Sequence, residues 1–198
     1  MVNKRIRSTA RRVGITAVAV AALSVAGCAT SVEGTATAAG SALADTTAPY
    51  RDTDRGRVDL DLDVEIGDCV RLGGTADDAT VDEAVCGSAD SNYKVVEKTA
   101  RNAQCPSDVD QVYYETKWGD ERGALCLDVD WVIGGCMSIP DGEDDEPRRV
   151  DCNDPHAPGI ERAVEIIDGA TDAKRCSDGG FVHDEREFTV CTETVRPL

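Results

Sequence analysis

Residues 67–70 (Gly-Asp-Cys-Val) and 134–137 (Gly-Gly-Cys-Met) open two segments that carry cysteines in the same order. The four cysteines of the first segment are separated by 16, 18 and 20 residues, and those of the second by 15, 23 and 14. Such self-similarity indicates one structural unit of roughly 65 residues that occurs twice. The eight cysteines of the repeat are Cys69, Cys86, Cys105, Cys126, Cys136, Cys152, Cys176 and Cys191.

The sequences that flank these cysteines support the repeat. Three further pairs of stretches correspond: Ala84-Val85-Cys86 with Val150-Asp151-Cys152, Lys94-Val95-Val96-Glu97 with Ala163-Val164-Glu165-Ile166, and Ala124-Leu125-Cys126 with Thr189-Val190-Cys191. An even number of cysteines in an exported chain predicts disulfides. Zinc is the competing interpretation. Zinc sites favour close pairs such as C-x2-C, whereas the shortest gap here is the nine residues between Cys126 and Cys136.

If each half closes on itself in the same way, only three disulfide patterns remain. We favour the pattern in which the first cysteine of each half binds the second, and the third binds the fourth. The first pair is predicted on two neighbouring antiparallel strands joined by a turn, at 72–75 in the first half, and such strands place Cα atoms ~4.5–5.5 Å apart, within disulfide reach. The favoured pairs are Cys69–Cys86, Cys105–Cys126, Cys136–Cys152 and Cys176–Cys191.

The hydrophobic pattern predicts a mainly β fold with at most a minor α component. Apolar and acidic residues alternate without interruption over 58–66, which predicts a strand. Pro106 can open one short helix, because proline is tolerated in a first helical turn. Further strands are predicted at 81–86, 93–98, 112–117, 124–128, 131–139, 149–152, 163–167, 181–183 and 188–192. We expect two tandem disulfide-stapled β-rich half-units, about 58–130 and 131–198, packed as one compact domain.

The N-terminal 27 residues have the pattern of a targeting segment. Five basic residues and no acidic ones lie in this stretch, and an apolar run covers 13–27. The run is shorter than the ~20 apolar residues that span a bilayer, and it fits a secretory signal peptide. It ends in Val25-Ala26-Gly27-Cys28, which resembles the bacterial lipobox. The resemblance implies that Cys28 is diacylated and becomes the mature N-terminus, whereas an ordinary signal peptide or an uncleaved anchor is the alternative.

Residues 28–57 are predicted to be a lipidated flexible tether, because alanine, threonine, serine and glycine dominate the first two thirds of this stretch. The whole chain has a net charge of −17, and removal of residues 1–27 leaves 16 basic against 38 acidic residues, a net charge of −22. This charge argues against nucleic acid as a partner, since nucleic-acid binders present basic patches. It favours a basic envelope protein or cations instead.

Few residues are candidates for chemistry. Asp59, Asp61 and Asp63 lack the glycine that an EF-type calcium loop needs at its sixth position, so we interpret them as a solvated strand face. The acidic loop 141–146 (Asp-Gly-Glu-Asp-Asp-Glu) is the better cation candidate, although such loops are commonly just solvated. His156 and His183, each near a carboxylate, are the only histidines and could serve a hydrolase. Because no catalytic or cofactor-binding motif is present, we predict no enzyme activity, no cofactor and no metal site.

Several motifs together resemble the LppU-type lipoproteins of actinobacteria, over about 64–198 and the lipobox. Cys152-Asn153-Asp154-Pro155-His156 also resembles the Cys-x-x-Pro-His turn of septum-formation-type repeats, from which the first half departs at Gly87-Ser88-Ala89-Asp90. The motifs that carry the main resemblance are Gly67-Asp68-Cys69-Val70, Cys86-Gly87-Ser88, Tyr93-Lys94-Val95-Val96, Cys105-Pro106, residues 125–131 and Thr189-Val190-Cys191. The resemblance implies a protein anchored by lipid at the outer face of the cell membrane and implies no particular reaction.

We therefore expect an extracytoplasmic lipoprotein that acts as a binding or interaction module. The alternative is an extracytoplasmic hydrolase or cation-dependent enzyme that uses His156 or His183.

Overall fold

Short stretches rich in valine, tyrosine and threonine, bounded by glycine and aspartate turns, form the strands of this protein. The computed structural model describes residues 58–140 and 145–196 in full and the backbone of residues 2–8 and 12–14. One 3-10 helix (η1) covers Asn102–Gln104. The strands are β1 Val2–Ser8, β2 Arg12–Gly14, β3 Cys69–Thr75, β4 Asp78–Ala84, β5 Tyr93–Thr99, β6 Gln111–Lys117, β7 Asp120–Val129, β8 Cys136–Ser138, β9 Arg148–Val150, β10 Ile160–Asp168, β11 Gly179–His183 and β12 Phe188–Thr194.

The strands form two antiparallel sheets with the same topology. The strand order is β6-β7-β5-β3-β4 in the first half and β11-β12-β10-β8-β9 in the second. Each sheet gains one N-terminal strand at its edge, since β1 pairs with β6 and β2 pairs with β11. Because every strand of one half has a counterpart at the same place in the other, the predicted duplication is confirmed.

Irregular features repeat together with the strand order. The register of the β5–β7 pair shifts between Val95 and Glu97, and that of the β10–β12 pair shifts between Ala163 and Glu165. Ahead of the first strand, the amide of Gly67 donates to the carbonyl of Val95 (2.8 Å), and that of Gly134 to the carbonyl of Ala163 (2.7 Å). Both glycines have a φ above +80°, a conformation in which a side chain is strained.

The four disulfides close within the halves in the favoured pattern. In each half, one bridge joins the start of the first strand to the residues that follow the second strand. The other bridge joins the segment after the third strand to the fifth strand. The Cα–Cα distances are 5.0 Å for Cys69–Cys86, 5.5 Å for Cys105–Cys126, 5.2 Å for Cys136–Cys152 and 5.2 Å for Cys176–Cys191.

The two halves share part of their hydrophobic core. Its largest cluster lies in the first half, around Tyr113, Leu125 and Leu127, but it also includes Met137 from β8 of the second half. Trp131 and Ile139 pack against this cluster and against a smaller one in the second half. All described residues belong to one compact unit. The prediction that the halves pack directly as one domain is therefore confirmed.

The alternating segment 58–66 is extended but is not a strand, so this prediction was wrong. Leu60 and Leu62 are partly buried and Val64 is fully buried against the first core, while Asp59, Asp61 and Asp63 are exposed. Alternation therefore reported correctly which side faces the core over 58–64, whereas Ile66 is 60% exposed. The backbone instead forms isolated bonds, among them Asp61 N–H to the Glu115 carboxylate at 2.9 Å, rather than a ladder.

Three other boundaries also differ from the predictions. The predicted turn at 72–75 lies inside β3, because Gly73 and Gly74 pair with β4 and the chain reverses at residues 76–77. The short helix η1 precedes Cys105 instead of starting at Pro106. The predicted strand 131–139 is reduced to Cys136–Ser138, since residues 131–135 form the connection between the halves.

The structure describes part of the predicted targeting segment and none of the predicted tether. Residues 15–57, which include Cys28 and the whole tether, lie outside the described residues, as do residues 141–144 of the acidic loop. Within the described part of the chain, no helix is long and apolar enough to cross a membrane.

Candidate functional site

Charged side chains from both halves converge where the second half packs against the first. We call Asp108, Asp110, Asp128, His183 and Arg186 the junction cluster. Asp108 and Asp110 lie between η1 and β6, and Asp128 lies in β7. His183 ends β11, and Arg186 lies in the turn before β12.

Arg186 is the centre of this cluster. Its Nη1 and Nη2 donate to the two carboxylate oxygens of Asp128 at 2.7 and 2.9 Å. Its Nε and backbone N–H donate to the two carboxylate oxygens of Asp108 at 2.7 and 2.9 Å. Both carboxylates are thus bound bidentately, the strongest geometry for this type of ion pair.

The pKa shifts of these groups follow from the same contacts. Burial acts to raise the pKa of Asp108, but backbone and side-chain hydrogen bonds from Arg186 outweigh it and lower this pKa. Burial acts to lower the pKa of Arg186, and the bonds and charges of Asp128 and Asp108 outweigh it and raise this pKa. The ion pairs are therefore present across the physiological pH range.

His183 is buried beside Arg186 and is 1% exposed. Its Nδ1 lies 2.8 Å from the backbone carbonyl oxygen of Asp108 and 2.8 Å from Nη2 of Arg186. Its ring stacks on Phe188, with centroids 4.2 Å apart, and its Nε2 is buried without a hydrogen-bond partner. These contacts fix the ring between the halves, where it is closed to solvent.

Asp110 is the member of the junction cluster whose carboxyl group has a raised pKa. Burial is the largest cause that raises its pKa, to about 6, and the nearby charge of Asp128 acts in the same direction. The charges of His183 and Arg186 and a hydrogen bond from the Val129 amide (2.8 Å) oppose this increase. Because a buried carboxylate near a like charge is costly, Asp110 changes its protonation state close to neutral pH.

A second ion pair joins the halves at the start of the connection. The Asp130 carboxylate accepts from Gly87 N–H at 2.6 Å and from the Ser91 hydroxyl at 2.7 Å. Arg149, from β9 of the second half, binds the Asp130 carboxylate at 3.1 Å and also its backbone carbonyl, and its Nε donates to Ser88. This pair holds β9 against the start of the connection.

The same aspartate lies close to a disulfide. One Asp130 carboxylate oxygen and the sulfur atoms of Cys69 and Cys86 lie within 4.8 Å of one another. Both sulfur atoms are consumed in the disulfide, so they are not thiolate ligands for a metal.

The two histidines that the sequence singled out are in different environments. His156 is exposed in a turn, where its backbone N–H donates to the Asp154 carboxylate at 2.9 Å. His183 is enclosed in the junction cluster, as described above. The hydrolase alternative stays a prediction for both residues.

The described end of the acidic loop is tied to the first half. The Tyr93 hydroxyl donates to the Glu146 carboxylate at 2.5 Å. Burial is the main cause that raises the pKa of Glu146, and it outweighs the hydrogen bond from Tyr93. The binding of a cation by 141–146 stays a prediction.

Trp118 is a surface residue that sequence reasoning missed. Together with Gly119 it forms the two-residue loop of the β6–β7 hairpin, and both residues have a positive φ, 56° and 95°. Such loops strongly prefer Asn-Gly, because a bulky residue is strained at the first position. The tryptophan is 86% exposed, and Nζ of Lys117 lies 5.3 Å from its ring centroid. The signal that could have revealed it is the Trp-Gly dipeptide between two strand patterns.

No protein-family model matches this chain, and no curated protein or solved structure shows significant similarity to it.

Proposed function

We propose that this chain is a lipid-anchored lipoprotein of the cell envelope whose domain, residues 58–198, is an interaction module. The single observation that supports this proposal best is the set of four disulfides, each closed within its own half. Disulfides form and persist in oxidising, extracytoplasmic compartments. Cys28, at the end of an apolar segment of signal-peptide length, supplies the attachment to the outer face of the membrane.

The resemblance to LppU-type lipoproteins supports the same assignment. The repeated cysteine frame and its matching sheet topology form a tandem of two related units. This resemblance implies a location and no reaction. Accordingly, we propose a binding role and no catalytic role.

The charge of the domain indicates the chemistry of a partner. A mature chain of net charge −22 attracts a basic envelope protein or cations and repels nucleic acid. If residues 1–27 are removed on processing, the outer edges of β6 and β11 lose the strands that pair with them. An uncovered sheet edge can accept an extended segment of a partner.

Replacement of the lipidated residue tests the anchoring. In cells that are fed a labelled fatty acid, we expect Cys28→Ser to abolish acyl labelling, because a hydroxyl does not form the thioether to diacylglycerol. Ala29→Ser is the matched control and should be labelled like the native protein. Labelling that persists in Cys28→Ser would contradict the anchoring proposal.

Affinity capture tests the binding role. The lipidated native protein is used as bait in envelope extract, and we expect a basic protein that is released as ionic strength rises, since salt screens charge attraction. Recovery of an acidic or salt-insensitive partner would contradict the charge argument.

A further inference from the structure

Trp118 stands at the end of the β6–β7 hairpin in a conformation that no local preference explains. Its ring is among the most exposed apolar side chains of the described residues, next to the ammonium group of Lys117. Tryptophan flanked by lysine is typical of residues that lie at a membrane–water interface, where an amphipathic ring is favoured.

The chain enters the domain beside this same hairpin. Asp59 N–H donates to the carbonyl of Arg122 at 2.8 Å, and the two side chains form an ion pair. Val58 packs against Gly123 so closely that an added Cβ there would lie 2.9 Å from Val58 Cγ1. The predicted tether, which ends at residue 57, therefore joins the domain next to residues 122–123, close to the hairpin tip.

The length of the tether keeps the tip close to the lipid. Between Cys28 and the start of the domain lie residues 28–57, and a flexible chain of this length has a root-mean-square span of roughly 30 Å. A tethered contact has an effective concentration of the order of millimolar, so a weak contact can be well populated.

The tip is less acidic than the domain as a whole, because Lys117 and Arg122 stand against Asp59, Asp120 and Glu121, a net charge of 2 − 3 = −1. Lys117 lies opposite Asp120 in the β6–β7 pair, and Arg122 is paired with Asp59. The Glu121 carboxylate is held by the Asn102 amide at 2.7 Å. The tip can therefore approach an anionic surface at a lower electrostatic cost than the acidic surface elsewhere on the domain.

Strand β7 begins at the hairpin tip, and its other end contacts the second half. β7 extends from Asp120 to Val129, a length of roughly 30 Å at ~3.3 Å per residue. The junction with Arg186 is at Asp128, next to the far end. Contact between the tip and the membrane would therefore point the second half away from the lipid.

We propose that the tip, residues 117–119, docks into the interfacial layer of the membrane that holds the lipid anchor, with Trp118 as the inserted side chain. This inference rests on the proposed lipid anchoring. It assigns an orientation to the domain: the first half is proximal to the membrane, and the second half is presented outward.

Depth-dependent quenching tests the docking. The lipidated full-length protein is reconstituted into phosphatidylcholine vesicles with and without brominated acyl chains. We expect the bromolipids to quench roughly half of the tryptophan emission, because one of the two tryptophans, Trp118, lies in the interface while Trp131 packs against the core. Trp118→Ala should leave only the emission that bromolipids do not quench.

Val85→Ala is the matched control variant. Val85 is 78% exposed, but it follows β4 directly, at the end of the sheet near Asp128, and its replacement should leave quenching unchanged. Intact mass first verifies the acyl group on Cys28, so loss of anchoring is distinguished from loss of docking. Acylated protein without bromolipid quenching would overturn the proposal. The proposal would also be overturned if bromolipids did not quench the native protein and Trp118→Ala lost the binding of an envelope protein, because Trp118 would then contact a protein and not the membrane.

Discussion

The two halves have the same strand order, the same disulfides and the same bulge, yet they carry unequal parts of the core. The first half contains the largest apolar cluster, around Tyr113 and Leu125. The second half has smaller clusters, one of which consists of Ala163, Phe181 and Val190, and it contributes Met137 to the core of the first. The comparison shows that a duplicated fold can keep its disulfides and strand order while one copy buries some of its apolar side chains in the core of the other.

The β6–β7 and β11–β12 hairpins also differ between the halves at the level of single residues. Both contain the triplet Asp-Glu-Arg, which opens β7 at 120–122 and lies in the turn before β12 at 184–186. Arg122 pairs with Asp59 at the surface, whereas Arg186 binds two carboxylates at the junction. The Glu185 carboxylate accepts from the amide and hydroxyl of Ser107 at 2.7 and 2.8 Å and extends that junction. The same three residues thus have different roles, which depend on where they lie in the hairpin and on what packs against them.

The largest expected effect comes from removal of the junction arginine. Arg186→Met would leave the carboxylates of Asp108 and Asp128 buried without a counter-charge, which we expect to lower the free energy of unfolding by about 3 kcal/mol. Chemical denaturation measures this change. Arg122→Met is the matched control in the first half, where loss of a surface ion pair should cost less than about 1 kcal/mol. Equal losses in the two variants would show that the two arginines do not differ in role.

Removal of the third-to-fourth disulfide in each half sharpens the comparison of the cores. Cys176→Ala with Cys191→Ala should cost about 3 kcal/mol, because the bridge closes a loop of 15 residues in the unfolded chain. By hydrogen exchange we expect β11 and β12 to lose protection while β5–β7 retain it. Cys105→Ala with Cys126→Ala should expose both halves, since the core shared through Met137 belongs to the first. If this second variant lost hydrogen-exchange protection only in the first half, the second half would not depend on the core of the first.

The smallest effect is a pH-dependent one at Asp110. Its folded pKa of about 6 is above the ordinary value of 3.8, so the folded state binds the proton more tightly. The burial cost is therefore absent below pH 4, grows between pH 4 and 6, and is complete once the pH has risen through the folded pKa of about 6. We expect Asp110→Asn to be more stable than the native protein at pH 7.5 by about 1–3 kcal/mol, because the amide oxygen can still accept from Val129, and to be equally stable at pH 4.

Asp108→Asn provides a control of opposite sign. The folded pKa of Asp108 is lowered, so its contribution to stability is present at neutral pH and is lost as the pH falls through that pKa. Denaturation curves at several pH values should show Asp108→Asn less stable than the native protein at pH 7.5. The same sign for both variants would contradict the assigned electrostatics.

Much of the scaffold could be predicted because its signals are local or covalent. Cysteine spacing predicted the two halves and the bridge partners, since neighbouring antiparallel strands bring such pairs within reach. Alternation over 58–66 predicted the buried side correctly as far as Val64, but it could not show whether a partner strand would bond to the backbone of this segment. The turn after β3 was misplaced, because the glycines at 73 and 74 are tolerated within a strand.

The candidate site was decided by tertiary structure. The sequence by itself determined a mainly β, twice-repeated and cysteine-stapled domain of strong negative charge, and it marked His183 as a residue of interest. Only folding brought Arg186 to Asp128 and Asp108, which are 58 and 78 residues away along the chain. Only folding placed Trp118 beside the point where the tether joins the domain. The physical reason is that periodicity and disulfide spacing act over short stretches, whereas burial, charge pairing and exposure depend on which distant surfaces pack together.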